Sequence, residues 1–151
     1  MKRILIYPLI LVLAFCISSF TSPSPSLIGQ WKGEDNGEVG IITFEKEGYV
    51  SFTINDEKVG GKDYESEGLV FDMFYETDET VNPNTIDFVI KLDDDEVEVA
   101  RMLGIYHFVD DNTLIINMKF DGSPRPMVMD EESIDQITLT RMADKKKKKK
   151  T

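Results

Sequence analysis

Apolar residues recur at every second position along most of this chain, in short runs broken by turn-forming residues. In 113–120, Leu114, Ile116, Met118 and Phe120 alternate with Ile115, Asn117 and Lys119. The same spacing puts Ile86, Phe88, Ile90 and Leu92 on one face of 85–92. It groups Leu69, Phe71, Met73 and Tyr75 in 69–76, and Val50, Phe52 and Ile54 in 49–55. A period of two is the mark of a strand with one face on a core and the other in water. Runs 27–32, 39–46, 97–109 and 136–141 complete the set. Glu47-Gly48, Gly60-Gly61, Val81-Asn82-Pro83-Asn84, Asp93-Asp94-Asp95, Asp110-Asp111-Asn112 and Asp121-Gly122-Ser123-Pro124 read as the turns and loops between them. No segment holds a 3.6-residue period. The pattern therefore predicts an all-β fold, an eight-stranded antiparallel up-and-down β-barrel. Consecutive hairpins favour a meander, and closure removes the exposed edges on which other chains could pair. Irregular alternation around Gly104 predicts a bulge or a close backbone approach there.

The ends read differently. Lys2 and Arg3 precede an apolar run of 14 residues, 4–17, followed by Ser18, Ser19, Thr21 and Ser22. That is the layout of a secretory signal peptide, assigned to residues 1–21. The run falls short of the ~20 residues a spanning helix needs. The protein is thus expected to be exported, as a periplasmic, cell-surface or secreted protein. Cys16 is the only cysteine. Leu13-Ala14-Phe15-Cys16 looks like a bacterial lipobox, although Phe15 is bulkier than the small residue that normally precedes a lipidated cysteine. Lipidation at Cys16 and cleavage beyond it are the two readings, and the second is preferred. Cleavage there leaves no thiol for a disulfide, a metal or a nucleophile.

Residues 22–26 form a Ser/Pro linker, which reads as an extended spacer. The barrel domain is assigned to 27–142. The last segment, 143–151, holds a hexalysine run from Lys145 to Lys150, expected to stay solvated and able to touch an anionic surface. Between Ser22 and Asp144 there are 9 Lys and Arg against 28 Asp and Glu, a net charge of −19. A folded domain that acidic offers no nucleic acid a binding surface, because phosphates need cations.

Gly29-Gln30-Trp31, on the first run, resembles the Gly-x-Trp of lipocalins. In that family the Trp closes one end of the barrel and an Arg of the last strand stacks across it. Arg141, in Thr138-Leu139-Thr140-Arg141, stands where such an Arg would be. A guanidinium over an indole contributes ~0.5–2 kcal/mol. Further along lie Asn82-Pro83-Asn84-Thr85-Ile86-Asp87, Gly104-Ile105-Tyr106, Asp111 with Thr113-Leu114, and Arg125-Pro126. In that order, and with the last-strand Arg, they make 27–141 similar to a bacterial family of secreted lipocalin-like domains. No established activity comes with that family. The resemblance implies a barrel with Gly29, Trp31 and Arg141 as its structural signature. The chain is shorter than most lipocalins and has no cysteine pair, which leaves little for a lid over a deep pocket.

Phe52, Phe71, Phe88, Tyr106, Ile116 and Met118 are the candidate barrel-interior residues. They either line a pocket for an apolar molecule or interlock as a core. A domain of ~120 residues buries only some two-thirds of its unfolded surface and has few aromatics to spare, so a partly filled barrel is favoured. The expected function is non-covalent binding of a small apolar or amphipathic molecule in the barrel. The alternative is a protein-interaction or inhibitor module, with a solid barrel and acidic loops that meet a cationic partner. A monomer is expected.

No catalytic residues, metal or cofactor are assigned. His107 is the only histidine. No Gly-x-Ser-x-Gly elbow accompanies it, and one His falls short of a zinc ligand set. The acidic turns, Asp93-Asp94-Asp95-Glu96 and Asp110-Asp111-Asn112, lack the spaced pattern of a calcium loop and read as solvated turns. Arg125, between Pro124 and Pro126, reads as a loop charge in preference to a residue folded over the barrel mouth.

Overall fold

The computed structural model describes residues 24–35, 38–92 and 97–143; the leader with Cys16, the acidic 93–96 turn and the lysine run lie outside the described residues. Ten strands form: β1 (Gly29–Asp35), β2 (Glu38–Phe44), β3 (Val50–Ile54), β4 (Glu57–Gly60), β5 (Tyr64–Ser66), β6 (Leu69–Asp78), β7 (Asn84–Leu92), β8 (Glu98–Asp110), β9 (Thr113–Lys119) and β10 (Gln136–Arg141). They make one antiparallel sheet in the order β4-β3-β2-β1-β10-β9-β8-β7-β6-β5. Every pairing between chain neighbours is a hairpin or meander step, and β1 also pairs with β10. The sheet therefore curls into a nearly closed barrel.

Eight strands were expected and ten form. The difference lies in the stretch around Gly60-Gly61, which reads as a loop in the sequence. There the four residues of β4 fold back on β3, and the three of β5 pair with β6. Tight turns make this possible. Asn55 and Asp56 both have positive φ (51° and 66°), as do Glu67 and Gly68 (52° and 80°). Two such residues in a row match the right-handed twist of the strands that flank them. Runs of three and four residues are too short to show an alternation.

β4 and β5 are the two free edges, and the gap between them is bridged lower down. The Gly61 amide donates to Val50 O (2.8 Å), the Met73 amide to Gly61 O (2.9 Å), and the Tyr75 amide to Gly48 O (2.9 Å). An isolated pairing of Tyr49 with Phe74 lies beside them. The barrel is thus tied shut at that level and looser above it.

The strand register runs unbroken through Gly104, which faces Ile86 and Met118; the shifts fall between Ile90 and Lys91 and between Phe108 and Asp110. The close approach expected at Gly104 is present and the bulge is not. A Cβ at Gly104 would lie 2.9 Å from Met118 Cε, 3.0 Å from Asn117 O and 3.1 Å from Ile86 O. Two of those atoms are backbone and cannot move aside.

Trp31 and Arg141 are directly opposite each other on β1 and β10. The indole is fully buried, and the guanidinium carbon lies 4.1 Å from its centroid. Trp31 Nε1 donates to Leu27 O at 2.7 Å. Arg141 donates from Nη1 to Ile28 O and from Nε to Asp111 O, both at 2.9 Å, and from Nη2 to Ser26 O. One planar group thus joins the segment before β1, the last strand and the β8–β9 turn. Gly29 makes room for it: its φ is +125°, and a Cβ there would sit 3.2 Å from Arg141 Nη1. Above this base the interior is packed. Trp31 and Phe108 lie 6.0 Å apart, Tyr106 meets Phe108 edge-on at 5.8 Å, and Phe88 contacts both Phe44 (6.1 Å) and Phe52 (5.5 Å).

Lysine carries the same charge as arginine but cannot reproduce a planar fork that reaches three carbonyls. Arg141→Lys is therefore expected to lower stability by about 1–3 kcal/mol, read as a lower urea midpoint with an unchanged slope. A midpoint equal to wild type would show that the stacked arginine does not hold the base.

Candidate functional site

The meander fixes which residues share an end. β1 climbs from Gly29 at the base to Asp35 at the mouth, and β10 descends from Gln136 to Arg141. At the mouth, the positions on β1 and β2 that continue the inward rows of Trp31 and Ile42 are Gly33 and Gly40, and these pair across the two strands. Two glycines facing the interior leave the wall bare at that height. A cavity of about 570 Å³ opens there. Ile42, Phe52, Ile137 and Leu139 are among its deeper walls, and Ile54, Phe120 and Ile134 stand around its opening. Glu34, Asp135, Gln136 and Thr138 supply its polar lining.

The two glycines differ. A Cβ on Gly33 would come within 2.6 Å of Ile137 Cδ1 and 2.8 Å of Leu139 Cδ2, so β10 already fills its space. A Cβ on Gly40 would have only Ile54 Cγ1 near it, at 3.9 Å. Gly40 therefore faces open volume. Apolar side chains at the opening stay in water: Phe120 is 62% exposed and Ile134 88%.

Five of the six candidate interior residues do not border this cavity. Phe88, Tyr106, Ile116 and Met118 are at most 2% exposed and belong to the packed core below it. Phe52 lines the mouth cavity. Phe71 lines a separate cavity of about 260 Å³ by the β4–β5 gap, with Val59, Tyr64, Met73 and Ile90. Tyr106 points its hydroxyl away from the mouth, donating to Glu79 Oε1 at 3.0 Å. Burial, and then the Glu79 carboxylate, push its phenol well above the usual range. His107 is half-buried on β8 opposite Ile115. In the β8–β9 turn the Asp110 carboxylate accepts from the Asn112 amide (2.7 Å) and the Thr113 hydroxyl (3.2 Å), which hold its pKa down. The described residues hold no group of three or more His, Cys, Asp or Glu arranged to bind a metal.

Sequence reasoning missed the segment that frames the opening. Residues 120–135 leave β9 at the mouth and strap the outer wall. Arg125 is neither a plain loop charge nor a cover for the mouth. Its Nη1 donates to Asp87 Oδ1 (2.5 Å) and Gly104 O (2.6 Å), and its Nη2 to Asp87 Oδ2 (3.1 Å). Asp87 is 9% exposed and also accepts from Arg101 Nη1 at 3.1 Å. Asn117 Nδ2 donates to Val128 O at 3.3 Å, and Lys119 pairs with Asp135. These ties return the chain to β10 with Ile134 and Asp135 at the cavity. The one available signal was an acidic residue, Asp87, in mid-strand between two apolar ones. An aspartate in such a place needs a partner.

Compared with known protein families, curated proteins and solved structures, the chain has no match.

Arg125→Gln removes one of two cations from a nearly buried carboxylate. It is expected to cost about 1–3 kcal/mol and to make 120–135 the first site of limited proteolysis. Unchanged stability together with unchanged cleavage would show that the pair does not anchor the strap.

Proposed function

We propose that this is an exported lipocalin-like binding protein that holds a small apolar or amphipathic molecule, without covalent chemistry, in the mouth of its barrel. The observation that carries the reading is the mouth cavity. Its volume falls within the ~300–1,000 Å³ of small-molecule sites, and its deeper walls are apolar side chains. Moving an apolar ligand from water onto such walls is favourable in proportion to the area covered. The stacked Trp31–Arg141 pair supports the lipocalin-like reading, since it matches the signature inferred from Gly29, Trp31 and Arg141. The basic, apolar and small-residue layout of the leader supports export. The binding site in this reading is the upper third of the barrel, with Phe52 as the one candidate interior residue that a ligand in this cavity would touch. The second reading, an interaction module meeting a cationic protein, draws on the −19 charge of 22–144. It leaves the cavity without a use.

Gly40→Phe puts a ring into the open volume at a position free of backbone strain. Wild type is expected to enhance and blue-shift the emission of Nile red, an uncharged lipophilic dye. Gly40→Phe is expected to lose most of that signal while keeping its melting temperature. Equal dye uptake by the two proteins, or none by well-folded wild type, would contradict the reading.

A further inference from the structure

We infer that Phe52 sets the length of uncharged apolar chain that the mouth cavity accepts, by walling that cavity off from a second apolar chamber at the β4–β5 gap. The inference rests on the binding reading above and assigns its selectivity to one residue.

The sheet order makes such a wall possible. Phe52 lies on β3 and Phe88 on β7, and their rings meet edge-on at 5.5 Å. The two strands are not neighbours. Five strands, β2, β1, β10, β9 and β8, separate them on one side of the ring, and three, β4, β5 and β6, on the other. The aromatic contact therefore spans the interior and divides it. The mouth cavity lies on one side of that span, walled by β1, β2, β3, β10 and the end of the strap. The second cavity, of about 260 Å³, lies on the other. Most of its walls come from β4, β5 and β6, and Ile90 of β7 and Val99 of β8 close it. The division is thin. Phe52 is paired directly with Val59, a wall of the second cavity, so the two walls stand one strand spacing, ~4.8 Å, apart. Above the ring, the next inward residue of β3 is Ile54, which is 46% exposed. The Phe52 ring is thus the last barrier that β3 offers below the rim.

The two chambers match in chemistry. Ile42, Ile137 and Leu139 wall one, and Val59, Phe71 and Met73 the other. Among the described residues, no Asp, Glu, Lys, Arg or His lines the second. The acids that border the first do not face into it unmatched: Glu34 sits on the outward row of β1, and Asp135 is paired with Lys119. A hydrocarbon chain that outgrows the mouth cavity would find an apolar continuation behind Phe52. While the ring stands, its extra methylenes stay in water and add nothing to affinity. Each one buried would raise affinity about fourfold.

The test uses the full chain and a series of uncharged 1-alkanols, from hexanol to tetradecanol, that displace bound Nile red. Each variant's own dye affinity converts displacement into ligand affinity. In wild type, affinity is expected to rise about fourfold per methylene and then level off. Phe52→Ala removes the wall, and Phe52→Leu, which keeps an apolar side chain against the core, draws it back and carries the test should the alanine variant fail to fold. In either, the levelling-off is expected to move to longer alcohols. Ser66→Phe, added to Phe52→Leu, puts a ring into the second chamber and is expected to bring it back to the wild-type length. The same limit in wild type and the Phe52 variants, an unbroken rise in wild type, or a longer limit that Ser66→Phe leaves in place would each overturn the inference and leave the binding reading standing. Failure of every alcohol to displace dye overturns the binding reading itself.

Discussion

A strip of antiparallel hairpins has two ends, and this one becomes a nearly closed barrel because its first and last strands pair from Trp31–Arg141 to Gly33–Leu139, with a buried stack at the foot of that ladder. Arg141 lies over Trp31 and spends its fork on Ser26, Ile28 and Asp111 carbonyls. Those acceptors come from the segment just before β1 and from the β8–β9 turn. A charged group at the edge of a core is costly unless its donors are satisfied. Here they are satisfied by elements that must be in place for the ring to exist. The position opposite the stack follows from the same need. Gly29 is bare because the guanidinium passes beside it.

The barrel is full at its base and open at its mouth. Indole, guanidinium, Phe108 and Tyr106 occupy the base, and Phe44, Phe88 and Met118 fill the middle. Inward side chains run out at Gly33 and Gly40, and the space left there is the mouth cavity. A packed lower barrel gives a rigid floor. The strap on the outer wall, tied by Arg125 to Asp87, brings apolar Ile134 and acidic Asp135 to the rim. The packed core and the cavity thus occupy different heights of one tube.

Much of this was legible in residue order alone. Period-two alternation marks β3, β6, β7 and β9, because a strand shows its buried face to anyone counting by twos. The Trp31–Arg141 pairing was legible through resemblance to lipocalins. What escaped depends on distance across the sheet. β4 and β5 are too short to display a period and exist by virtue of tight turns at Asn55-Asp56 and Glu67-Gly68. Gly33 and Gly40 read as ordinary glycines until the β1–β2 register sets them face to face. Asp87, an acid in mid-strand, announces the need for a partner but not which one, since Arg125 is 38 residues away. The apolar stripes named the inward faces well, but not their heights. Phe88, Tyr106, Ile116 and Met118 are floor, and only Phe52 reaches the mouth cavity.

One residue reports on all of this, since the chain has a single tryptophan. Its fluorescence can be read without ambiguity while acrylamide is added to the folded and to the urea-unfolded protein. A sealed base predicts emission shifted to the blue of the unfolded chain and quenching many-fold weaker. Quenching as strong in the folded protein as in urea would mean that the indole sits in water, and that the ring of strands is not closed over it.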